Sequence, residues 1–64
     1  MPIFKWVMVF YHAQKEVYRA YGEKTFTSKA ECMEDVLEQS RDIDYCCGMA
    51  LHVIDEDGVI WPVD

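Results

Sequence analysis

Hydrophobic and polar residues follow one period at the two ends of the chain and another in its middle. From residue 3 to residue 12 they alternate. Phe4, Trp6, Met8, Phe10 and His12 fall on one side, and Ile3, Lys5, Val7, Val9 and Tyr11 on the other. A period of two is that of a β-strand, and apolar residues on both sides predict a central strand covered on both faces. Ala13-Gln14-Lys15 is a polar break. Glu16 to Tyr21, rich in strand-favouring residues, predicts a second strand pairing back antiparallel, ended by a bend or bulge at Gly22. The period then changes. Ala30, Met33, Val36, Leu37 and Ser40 recur at helical spacing with Cys32 at the margin, while Glu31, Glu34, Asp35, Glu38 and Gln39 face water. Ser28 and Glu31 form the sequence signature of a capping box, so the helix is predicted from about Lys29 to Arg41. Alternation resumes from Cys46 to Ile54, with Cys47, Met49, Leu51 and Val53 in one row. Asp57-Gly58 predicts a type I′ turn, and Val59-Ile60-Trp61 a last strand held at a sheet edge by Pro62.

The predicted fold is α+β, in the order β-β-α-β-β, over one domain spanning residues 1–64. A right-handed connection through the helix sets strand three beside strand one, giving an antiparallel sheet of order 2-1-3-4 with the helix on one face. One helix covers one face only, so the second apolar row of strand one is expected to be covered by something else, a second copy or a partner. Size points the same way. A domain of 64 residues is marginally stable alone and is often reinforced by a metal, a disulfide or self-association. The composition, 52% apolar and 14% aromatic, is that of a chain with a real core.

Charge narrows the function. Residues 1–41 carry all six basic residues and six acidic ones. Residues 42–64 carry Asp42, Asp44, Asp55, Glu56, Asp57 and Asp64 with no Lys or Arg, so the whole net charge of −6 arises there. Such a field repels nucleic acid and attracts a basic protein surface; a simple contribution to solubility is the commoner reading of acidic clusters. Tyr11, Tyr18 and Tyr21 beside Lys5 and Arg19 resemble a base-stacking sheet face, but the charge opposes it. Tyr and Trp are equally the anchors of protein interfaces. The candidate partner-binding residues are therefore Asp55, Glu56 and Asp57 at the last hairpin, Asp42 and Asp44 as an extension of that patch, and Tyr11, Tyr18, Tyr21 and Trp61. A host protein with a basic surface is the expected partner, with no nucleic acid and no membrane. No run approaches the roughly 18 apolar residues of a membrane helix, and the expected compartment is the cytoplasm, with reduced cysteines.

Catalytic and metal readings find little purchase. Cys32, Cys46, Cys47 and His52 supply zinc-ligand types, but there is no C-x-x-C pair, and adjacent cysteines on a strand point to opposite faces. Buried reduced cysteines are the expectation, with a disulfide from Cys32 to Cys46 or Cys47 geometrically conceivable. Nothing in the spacing brings a cysteine to His12 or His52 for nucleophilic catalysis. Asp55, Glu56 and Asp57 lack the spacing of a calcium loop, and there is no phosphate-binding glycine motif. A chain this short has little room for the roughly 300 Å³ pocket usual for small molecules. No cofactor is expected, and the protein is read as no enzyme.

Trp6-Val7-Met8-Val9 as an opening strand, Phe26-Thr27-Ser28-Lys29-Ala30-Glu31-Cys32 leading into a helix, and a closing strand together resemble many short phage and bacterial proteins. In topology and acidity the chain is similar to the small inhibitor of host RNA polymerase made by T7-like phages. The resemblance implies a phage-encoded protein that inhibits or modulates a host protein of the transcription or defence machinery. It carries no functional residues over. The alternatives are a structural homo-oligomer, a dimer through the free sheet face, and a small Cys/His metal-dependent or redox domain.

Overall fold

The computed structural model describes residues 2–43 and 48–63. The elements are β1 (Lys5–His12), β2 (Lys15–Tyr21), α1 (Lys29–Arg41), β3 (Met49–Ile54) and β4 (Ile60–Pro62). They form one antiparallel sheet of order β2-β1-β3-β4 with the helix packed on one face, the predicted α+β architecture. No helix among the described residues is long and apolar enough to cross a membrane.

Register shows which residues share a face. Trp6, Met8 and Phe10 stand opposite Val53, Leu51 and Met49 on the helix side. Met8, Phe10 and Val36 form the core cluster, with Trp6, Ala20, Met49, Leu51 and Val63 packed around it. The helix lies against β1 and β3. Its inward stripe is turned from the expected one: Cys32 and Val36 are fully buried at its centre, whereas Ala30 and Leu37 are exposed and Asp35 is half-buried. The helix begins where Ser28 predicts, and Ser28 has the extended backbone of an N-cap. Its side chain makes no capping bond, so the expected capping box is not formed.

Three further expectations are corrected. β1 begins at Lys5, because Phe4 instead pairs with Phe26 ahead of the helix, the two residues exchanging N–H···O bonds of 2.7 and 2.9 Å. The type I′ geometry is at Ala13-Gln14, where both residues have positive φ (53° and 66°) and join His12 to Lys15 directly. The last hairpin instead turns over Asp55 to Gly58, closed by Gly58 N–H donating to the Asp55 carbonyl at 3.0 Å. There Gly58 has positive φ and Asp57 does not. That is the longer hairpin loop, with a glycine in the left-handed region after the turn. The last strand is Ile60–Pro62, one residue later than expected, and Pro62 lies on the edge strand as expected. The start of β3 predicted at Cys46 and Cys47 lies outside the described residues.

The open face of the sheet also differs from expectation. Val7 and Val9 are only 2% and 4% exposed although no second layer covers them among the described residues. Val7 stands between Tyr21 and His52, and Val9 between Arg19 and Ala50. Tyr21, Arg19 and His52 among these neighbours carry side chains long enough for their apolar parts to lie over a small residue. At the middle of β1 the open face therefore exposes no apolar row.

Candidate functional site

The residues singled out in the sequence separate into two ends of the sheet. β3 runs from Met49 to Ile54 into the Asp55–Gly58 turn. Asp42 is the C-cap of the helix. Asp44, expected with Asp42 to extend the acidic tip, lies outside the described residues. Tyr21, opposite Val7, is at the tip end; Tyr11 and Tyr18 are toward the Ala13-Gln14 turn. Tyr11 donates its backbone N–H to Gly48 O at 2.9 Å. Tyr18 projects on the helix side beside Phe10, ring centroids 6.0 Å apart.

The three tip carboxylates are not equivalent. Asp55 is an internal acceptor: Oδ1 takes N–H bonds from Asp57 and Val59, both 2.9 Å, and Oδ2 takes the Trp61 indole N–H at 3.2 Å. Its burial alone would raise its pKa. The hydrogen bonds from Val59, Trp61, Asp57 and Gly58 outweigh that and hold the carboxyl below the ordinary aspartate range. An aspartate that bonds the backbone two residues on is the recurrent way such turns are closed. Glu56 and Asp57 are exposed, with their carboxylates toward solvent. Trp61 is held on its ring face by Lys29, whose Nζ is 4.2 Å from the ring centroid, and on its edge by Asp55. It is thus a clamp between the helix start and the hairpin.

An apolar hollow of about 380 Å³ opens beside the tip, lined by Ile3, Lys5, Tyr21, Ile54, Asp55 and Glu56. It is larger than a chain of this length was expected to provide. Ile3, Tyr21 and Ile60 are each about half exposed around it, Ile60 through its pairing with Ile54. The tertiary structure thus brings Tyr21, Asp55 and Glu56 into one site and adds Ile3, Lys5 and Ile54, which sequence reasoning missed. Alternation places Ile3 in the first strand; in the structure it precedes β1 and lines the hollow.

A smaller hollow of about 260 Å³, on the helix side, is lined by Trp6, Tyr21, Gly22, Glu23, Lys24, Asp35 and Gln39. Here the Trp6 indole donates to Asp35 Oδ2 at 2.7 Å, and Gly22 N–H donates to the Trp6 carbonyl at 3.0 Å. A Cβ on Gly22 would lie 2.6 Å from Trp6 Cε2, so the ring leaves no space for any other residue.

Cys32 is buried among the core residues, and burial followed by the charge of Asp35 pushes its thiol up to about 11. It is a protonated thiol and a packing residue. His52 is on the open face, so the sheet separates it from Cys32. No group of three potential metal ligands occurs among the described residues. The conceivable Cys32 disulfide involves Cys46 or Cys47, outside the described residues.

No family model matches the chain, and no curated protein or solved structure proves to be a match.

Proposed function

We propose that this is a non-enzymatic binding protein that engages a basic protein surface through the hollow beside the last hairpin. The observation that carries the reading is the meeting, in one hollow, of apolar walls (Ile3, Tyr21, Ile54) with two carboxylates (Asp55, Glu56) against one lysine (Lys5). Protein interfaces combine these parts: an aromatic or aliphatic anchor in a pocket supplies affinity, and rim charges supply encounter rate and orientation. A partner segment presenting an apolar side chain next to Lys or Arg fits both. The resemblance of the sequence in topology and acidity to the small phage inhibitor of host RNA polymerase is what supports the finer proposal, that the partner is a host protein inhibited or modulated by a phage product.

The test is capture from the source cell's lysate with the wild type, with Ile3→Asp and with Glu56→Lys. Both positions are exposed, so the fold should survive. A protein held by the wild type and lost with both variants supports the reading. Equal recovery with all three would remove the hollow from consideration.

A further inference from the structure

We propose that a second copy of this chain docks along β2, by antiparallel pairing of β2 with its two-fold mate, to form an eight-stranded sheet. This goes beyond the binding reading and uses a different surface.

The two edges of the sheet are unlike. β4 has three residues and ends at Pro62, which has no backbone donor. β2 has seven residues and no proline, and every one except Ala20 is exposed. An edge strand of that length presents a row of backbone N–H and C=O groups suited to pairing with another strand. The helix packs over β1 and β3, leaving the outer side chains of β2 uncovered: Val17 is 57% exposed and Tyr18 64%.

The register follows from a bulge. Phe10 is opposite Tyr18 but Tyr11 is opposite Glu16, so Val17 is an extra residue in β2. In a regular strand Glu16 and Arg19 would point to opposite faces. The bulge puts both on the open face, where Arg19 grips Glu16 through two bonds of 2.6 and 3.0 Å. A two-fold axis between Val17 and Tyr18 then sets Glu16 opposite Arg19 of the second copy, twice over. It also sets Lys15 opposite Ala20, both on the helix side. Residues directly opposite each other must share a face, and these two pairs do, the first matching opposite charges. At its centre meet the exposed Val17 and Tyr18 of each copy, with the ion pairs outside them, the apolar centre and polar rim of a protein interface. Edge bulges often hinder pairing; here the bulge is what makes the strand complementary to itself.

The experiment is sedimentation of the protein over a wide concentration range. The wild type should show a concentration-dependent dimer. Glu16→Arg and Arg19→Glu should each weaken dimerisation about tenfold, since each sets like charges opposite one another twice. Combining the two exchanges should restore it. Hydrogen exchange of the wild type, which needs no variant, should show Glu16 and Arg19 amides more protected at high concentration. A wild type that stays monomeric, or exchange in β2 that ignores concentration, overturns the proposal. A dimer indifferent to both single exchanges places the interface elsewhere, and a double exchange that fails to restore it overturns the register.

Discussion

Of the described glycines, Gly22 has the least room for a side chain. The indole of Trp6 occupies the space that a Cβ would need, and both residues are held by backbone bonding. Gly22→Ala should therefore cost about 1–3 kcal/mol, the usual range for forcing extra volume into a packed site, measured by denaturant unfolding; an unchanged midpoint would show that the ring can move aside. Ala13 and Gln14 present the opposite case. Each has a left-handed backbone, a conformation costing a non-glycine residue roughly 1–2 kcal/mol. Glycine avoids that cost but loses about 0.5–1 kcal/mol to its greater unfolded freedom. Replacing the pair with Asn-Gly should still stabilise the hairpin, by about 1 kcal/mol, with a raised melting midpoint as the readout. Asp55 makes stability depend on pH. Its folded pKa is depressed, so its contribution is present above the unfolded value of about 3.9 and is lost as pH falls through the folded value. Asp55→Asn should lower the midpoint at neutral pH and flatten its decline in acid. A variant with the wild-type acid profile would show that the turn does not need the charge.

At the scale of the elements, the helix shows how pattern and packing diverge. Its ends fall where the pattern puts them, yet the stripe facing the sheet is centred on Cys32 and Val36. Cysteine buries as readily as a small aliphatic residue. Asp35 can sit near the sheet because Trp6 Nε1 supplies a hydrogen bond. Asp35→Ala would leave that indole donor unsatisfied and should cost about 1–3 kcal/mol, accompanied by a change in Trp6 fluorescence; no change in either would mean that water replaces the carboxylate. Ser28 has the cap's backbone without its side-chain bond, so Ser28→Ala should cost less than the roughly 1 kcal/mol typical of a bonded cap. At the last hairpin, Asp55 builds the turn, while Glu56 and Asp57 extend from it. Neutralising those two as Gln and Asn should leave the melting midpoint alone, slow association with a basic partner and reduce its salt dependence. Equal association rates at low and high salt would reduce the tip to a solubilising surface.

The whole molecule is a two-layer structure with one thin side. The helix and sheet bury Met8, Phe10, Cys32, Val36 and Val53 between them, while Val7 and Val9 are buried on the other face. Of the charge excess of residues 42–64, Asp55, Glu56 and Asp57 gather at the last hairpin.

Element type, element order and strand order were legible in the residues themselves. Alternation and helical spacing are local signals set by which side chains must leave water, and the short connections leave few topologies open. The acidic hairpin was legible for the same reason. What only the tertiary structure decided depends on residues distant in sequence. Trp6 meets Gly22 and Asp35, the bulge at Val17 turns Glu16 and Arg19 to one face, and Phe4 leaves β1 to pair with Phe26, freeing Ile3 for the hollow beside Tyr21 and Asp55. A sequence pattern reports whether a side chain seeks burial. Which neighbour buries it is set by register and close packing, and those exist only once the sheet has formed.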